Sequence, residues 1–140
     1  MAEKNYEELI PGRIFVGGVD GVESLLENET IDIVFDLRIA KKEHPAENLR
    51  VHQPIADDGL NQDVSIKKAV SEVMKAYNKG DNIYFHCNSG SGRAGVMAIA
   101  TLMELNLAET VEEAEKKAKD IRPKINIKAE QKNALERIYS

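Results

Sequence analysis

Cys87 is the only cysteine of this 140-residue chain, and six residues after it stands Arg93, with Gly90 and Gly92 between them. A cysteine attacks as its thiolate, and an arginine fork can hold two oxygens of an anion at once. Glycines let backbone come close to such an anion. Ahead of the cysteine, Ile83-Tyr84-Phe85 reads as a short buried strand. Behind the loop, residues 96–103 read as a helix that is apolar nearly all round and therefore central. A loop running from a strand into a helix N-terminus points free backbone N–H groups at one spot, where the helix dipole favours negative charge. Such a setting lowers a thiol pKa from about 8.5 to roughly 3.5–7.5. A lone cysteine is more often a small buried hydrophobe, but a packing cysteine gives no reason for the glycine-rich turn and arginine that follow. Asn88, Ser89, Gly90, Ser91, Gly92 and Arg93 therefore read as an anion-binding nest with a nucleophile in it.

His86-Cys87-x-x-Gly90-x-x-Arg93 resembles the phosphate-loop signature of the cysteine-dependent protein phosphatases. The opening of the chain is similar, more weakly, to the start of their dual-specificity branch: Pro11-Gly12, a strand, Gly17-Gly18, a helix, a strand. The resemblance implies a cysteinyl-phosphate mechanism without metal or other cofactor, with Cys87 as nucleophile, Arg93 on the phosphate and His86 supporting the loop from behind. It also implies a general-acid aspartate about thirty residues ahead of the cysteine. Asp57 stands 30 residues before Cys87 and Asp58 stands 29 before it. Pro54-Ile55-Ala56-Asp57 fits the family's spacing and favours Asp57, while counting back from Asp63 favours Asp58. Gln131 falls near the place where tyrosine-specific members keep a water-orienting glutamine; a plain surface glutamine fits equally well. The family usually has Ser or Thr after the arginine, and here Ala94 stands there. That departure puts breakdown of the intermediate in question more than its formation.

The remaining elements must position this loop. Residues 1–8 read as a polar leader, residues 13–16 as a first strand, 19–29 as a short helix and 31–37 as a second strand. Residues 38–48 read as a polar surface loop in which Arg38, Lys41 and Lys42 form a solvated charge run, with a place on the border of the pocket as the alternative, and His44 is an ordinary loop residue. Residues 49–53 make a modest strand, and 65–79 an amphipathic helix with Ile66, Ala69, Val70, Val73, Met74 and Tyr77 inward. Thr110 and Glu113 form a capping box for a helix to about residue 121, Arg122-Pro123 stops it, and a last helix covers residues 128–139. The expected fold is one α/β domain over residues 1–140, with a short, mainly parallel sheet of four or five strands and helices on both faces.

Composition bounds the function classes. Apolar residues are 42% and charged residues 31%, as in a folded soluble domain. No apolar run approaches the roughly 18 residues of a membrane span, and the start lacks the pattern of a signal peptide. One cysteine allows no internal disulfide, which suits a reducing cytoplasm. The net charge of −5 argues against broad nucleic-acid binding. His44, His52 and His86 show no metal-ligand spacing. The expected activity is hydrolysis of a phosphorylated protein or small phosphoester; the oligomeric state is not legible. Other classes stay open: a phosphatase of phosphoinositides or RNA 5′ phosphates, a weak phosphate-binding module, and a rhodanese-like sulfurtransferase.

Overall fold

The computed structural model describes residues 4–40, 42–56 and 59–140. Its sheet contains β1 (Tyr6–Ile10), β2 (Ile14–Gly18), β3 (Ile33–Asp36), β4 (Arg50–His52) and β5 (Ile83–Cys87), in spatial order β1-β2-β5-β3-β4. β1 runs antiparallel to β2, and the other three pairings are parallel. The helices are α1 (Val22–Asn28), entered through a 3-10 turn at Val19–Gly21, α2 (Gly59–Lys79), α3 (Arg93–Glu104), α4 (Val111–Ile121) and α5 (Ala129–Ile138). The α/β class and mainly parallel sheet agree with the expectation.

β5 lies between β2 and β3 and is buried along its whole length. Its side chains alternate with period two, as a pleated strand requires. Ile83, Phe85 and Cys87 join Ile14, Val16, Phe35 and Leu37 in the large core under α2 to α5. Tyr84 turns the other way, with Phe15, Val34 and Tyr6, against Val22 and Leu25 of α1. α3 is the helix that this core surrounds: every residue from Ala94 to Leu102 is buried. At roughly 1.5–3 kcal/mol for each large apolar side chain, that burial anchors the helix whose first residue is Arg93. Asn106 (φ 58°) ends it in the left-handed conformation, with the Leu107 N–H on the Leu102 carbonyl and the Asn106 N–H on the Met103 carbonyl.

Three boundaries depart from the sequence reading. Residues 6–10 are an edge strand and not part of a polar leader, because Tyr6 and Leu9 are buried while Glu7 reaches an ion pair with Arg122. α2 starts at Gly59, six residues ahead of Ser65, so Asp63 lies inside the helix. Its carboxylate holds Arg137 of α5 through two 2.8 Å bonds instead of capping a terminus. At α4 the Thr110 hydroxyl accepts the Glu113 N–H at 3.1 Å, but the Glu113 carboxylate accepts the N–H of Glu109 at 2.8 Å, so the box closes one residue early.

Candidate active site

β5 delivers Cys87, 3% exposed, to the mouth of the loop, and α3 takes over at Arg93. The loop carbonyls are held from behind. Asn88 O accepts the Val19 N–H (3.1 Å), Ser91 O the Asn126 N–H (3.0 Å) and Gly92 O the Val96 N–H (2.9 Å). Ser89 O and Gly90 O each accept from the Arg122 guanidinium at 3.0 Å. With the carbonyls so engaged, the N–H groups are free to face the opposite side; among the described residues no hydrogen bond is donated by the backbone N–H groups of residues 89–92. They border a cavity of about 210 Å³ lined by Cys87, Asn88, Ser89, Ser91, Gly92 and Arg93, with Lys128 and Gln131 at its other wall. That volume is below the several hundred Å³ of a drug-sized pocket and suits a phosphoryl-sized group.

Arg122 is the largest fully buried side chain of the described residues. Besides the two carbonyls it donates to Asn5 Oδ1 and Glu7 Oε1, both at 2.6 Å. Its role depends on two residues 115 and 117 positions earlier in the sequence.

Behind the cysteine lies a relay of imidazoles. The Ala46 N–H donates to His44 Nδ1 at 3.0 Å, so His44 in its neutral form carries its proton on Nε2. His44 Nε2 lies 2.9 Å from His86 Nε2, and His86 Nδ1 lies 3.0 Å from the Cys87 carbonyl. The only pattern satisfying all three contacts runs Ala46 N–H to His44, His44 Nε2–H to His86, and His86 Nδ1–H to the Cys87 carbonyl. Burial pushes both histidines below their usual pKa, His86 to about 4. His86 thus meets the loop as a neutral ring that donates to the Cys87 carbonyl.

His44 is therefore no ordinary loop residue. Arg38, read as part of a solvated run, is 7% exposed and clamps Asp36 through Nε and Nη2, both at 2.9 Å. Arg50 Nη1 adds a third contact at 3.1 Å. Burial opposes the charged carboxylate, but the Arg38 side chain and N–H outweigh it and hold Asp36 at about 2. Asp36, His44 and His86 come close enough together to suggest a metal site, which the histidine spacing did not show. Their bonding suits it poorly. The carboxylate faces two guanidiniums, and His44 has no lone pair at Nε2 while Ala46 occupies Nδ1.

The Ala94 N–H points at Cys87 Sγ from 3.4 Å. Ser89 and Ser91 bond each other, Oγ to Oγ at 2.9 Å, and among the described residues neither hydroxyl bonds the sulfur. Gln131 is 3% exposed, not a surface residue, and its Oε1 accepts the Lys128 N–H at 2.8 Å. Lys41, Asp57 and Asp58 lie outside the described residues. The chain leading to the two aspartates is tied to α2: the Ala56 N–H donates to Ser65 Oγ at 2.8 Å, and Gln62 Nε2 donates to the Ala56 carbonyl at 3.4 Å.

The dual specificity phosphatase catalytic-domain family matches residues 14–140. No curated protein sequence matches the chain. Among solved structures, human DUSP28 superposes with a TM-score of 0.82 at 16% identity, over 98% of this chain and 94% of that one. Human tyrosine phosphatase-like serine/threonine/tyrosine-interacting protein gives 0.78 at 17% identity, over 97% and 96%. PTPMT1 in complex with PI(5)P gives 0.77 at 18%, over 96% and 94%. At these identities the likeness is one of fold. Among the described residues no helix is long and apolar enough to cross a membrane.

Proposed function

Because the chain belongs to the dual specificity phosphatase catalytic-domain family, we propose that it hydrolyses phosphomonoesters through a cysteinyl-phosphate intermediate, with phosphorylated protein side chains as substrates. The observation that carries this reading is the loop whose carbonyls are all bonded from behind while Cys87 and Arg93 line the cup it forms. In this reading the N–H groups of residues 88–93 and the Arg93 guanidinium hold the phosphate dianion and the equatorial oxygens of the transition state. Cys87 Sγ attacks phosphorus in line, the S–P bond forms as the ester P–O bond breaks, and Asp57 protonates the departing oxygen, with Asp58 the alternative donor. Water then cleaves the S–P bond and gives its proton to the same carboxylate. In this reading Gln131, buried on the far wall of the cup, orients that water through Nε2, its Oε1 being engaged by the Lys128 N–H. The reaction so written uses protein groups alone.

The neutral side chains of the loop between Cys87 and Arg93 support phosphoprotein substrates. Lys128 on its rim favours a second reading, a phosphoinositide, because it adds a cation from outside the loop. A panel of phosphopeptides and phosphoinositides ranks the two by kcat/KM.

The test is hydrolysis of p-nitrophenyl phosphate in chelator, set beside thiosulfate:cyanide sulfur transfer. Phosphate release is expected and sulfur transfer is not. Cys87→Ser, whose hydroxyl stays protonated near neutral pH, drops hydrolysis to background and leaves vanadate binding. Retained hydrolysis in Cys87→Ser removes the covalent mechanism. Vanadate binding without turnover in the parent protein makes it a phosphate-binding module, the outcome that Ala94 favours.

A further inference from the structure

We propose that His44 is a positioning residue for Cys87: its Nε2–H holds His86 in the one tautomer that can donate to the Cys87 carbonyl. The inference rests on Cys87 being the nucleophile. His44 belongs to a segment between β3 and β4 that touches the loop through His86, 42 residues away in sequence.

A neutral imidazole has one N–H and one lone pair. If His86 carried its proton on Nε2, that proton would meet the His44 Nε2–H head-on across 2.9 Å. Its bare Nδ1 would meanwhile face the Cys87 carbonyl oxygen across 3.0 Å, lone pair against lone pair. The Ala46 N–H on His44 Nδ1 closes the alternative at the far end, because it forbids the other neutral tautomer of His44. A backbone amide thus sets the proton positions of two buried rings, and the second ring sets the carbonyl at the base of the phosphate loop. The rings stack at a 5.0 Å centroid separation and an interplanar angle of 25°, so neither can flip without displacing the other.

The groups facing the pair come from every neighbouring element. Asp36 closes β3 with Arg38 just beyond it, Arg50 opens β4, Glu47 lies in the intervening turn, and Tyr84 and Cys87 belong to β5. Asp36 favours a charged ring, Arg38 and Arg50 oppose one, and burial adds to the opposition. The neutral relay is therefore the resting state, in which the His44 Nε2–H and the Cys87 carbonyl select the same His86 tautomer.

Cys87 is the only cysteine, so alkylation by iodoacetamide reads its reactivity without any turnover. The experiment compares the parent with His44→Phe, which keeps a stacking ring but has no donor, and His44→Gln, whose amide nitrogen reaches the Nε2 position. In His44→Phe the alkylation profile, taken from about pH 5 to about pH 9, moves to higher pH by about one unit, a tenfold loss of rate on its acid limb. kcat for p-nitrophenyl phosphate falls with KM nearly unchanged. His44→Gln restores both readouts to within about twofold, as expected when one hydrogen bond is kept. If His44→Phe does not fold, His44→Asn, which mimics only Nδ1, takes its place with the same expectation. A donor-less variant with the parent's alkylation profile overturns the proposal, and so does equal impairment of the donor-less variant and His44→Gln. A shifted alkylation profile in a protein whose parent hydrolyses nothing sinks the phosphatase reading and leaves the positioning role.

Discussion

Gly90→Ala tests whether the loop is built against its backing or merely rests on it. Gly90 has φ +82°, and an added Cβ would lie 2.5 Å from Arg122 Nη2, 2.5 Å from the Gly17 carbonyl carbon and 2.7 Å from the Gly17 oxygen. Gly80 supplies an internal control: its φ is +101°, and nothing lies within 4 Å of its Cβ position. Both substitutions carry the backbone cost of a positive φ, about 1–2 kcal/mol. At Gly80 that is the whole effect. At Gly90 the new methyl also pushes on the backbone of β2 and on a guanidinium whose bonds to Gly90, Ser89, Asn5 and Glu7 leave it little room to move. Overpacking of this kind adds about 1–3 kcal/mol, so Gly90→Ala costs about 2–5 kcal/mol in total. Urea unfolding followed by circular dichroism measures both variants, and p-nitrophenyl phosphate hydrolysis is measured on the folded fractions. Gly80→Ala keeps the parent's activity while Gly90→Ala loses most of it. Equal destabilisation by the two substitutions would refute the packing argument, since only the conformational term would then be at work.

Acid should weaken the fold in two successive windows. His86 binds protons less readily folded (about 4) than unfolded (6.5), so its contribution, up to about 3 kcal/mol, is complete above 6.5 and lost as pH falls toward 4. Asp36, held at about 2 against 3.8, adds stability present above 3.8 and lost below it. Urea midpoints that stay level between pH 7 and pH 5 would contradict the first window. Asp57→Asn is expected to lower the rate on a phosphopeptide by roughly 10²–10⁴-fold and much less on p-nitrophenyl phosphate; the larger loss in Asp58→Asn moves the acid by one residue. With alanine at position 94, rapid mixing should show a burst of nitrophenolate near one per enzyme, and Ala94→Ser should raise the steady rate alone. A trace without a burst, and an Ala94→Ser rate equal to the parent's, would show that the alanine imposes no delay.

The parts legible in the sequence are those whose cause is local. Ile83-Tyr84-Phe85 before a glycine-rich turn and an apolar helix announces β5, the loop and α3, because burial on both faces leaves a continuous apolar run. β1 was illegible because an edge strand is bonded on one side only, so Glu7 and Glu8 sit in it as comfortably as in a leader. Asp63 and Ser65 imitate a helix start that the chain makes earlier, and the true use of Asp63, an ion pair with Arg137 74 residues on, has no sequence signature. His44 and Arg122 act through partners 42 and 117 residues away, and Gln131 lines a cavity whose other wall is the loop after Cys87. No spacing rule reaches that far. What could have flagged Arg122 is chemical: a guanidinium beside a proline at a helix end must find acceptors somewhere.

The clamp on the loop also sets an order of assembly. Arg122 joins residues 89 and 90 to residues 5 and 7, so the nest is closed by segments 115 and 117 residues apart in sequence. Such long closures come late in folding, since their entropy cost precedes any contact that rewards it. During synthesis Cys87 emerges some 35 residues ahead of Arg122, attached to a loop whose carbonyls are still hydrated. The loop is clamped around the sulfur only once residues 5 and 7 meet Arg122 behind it.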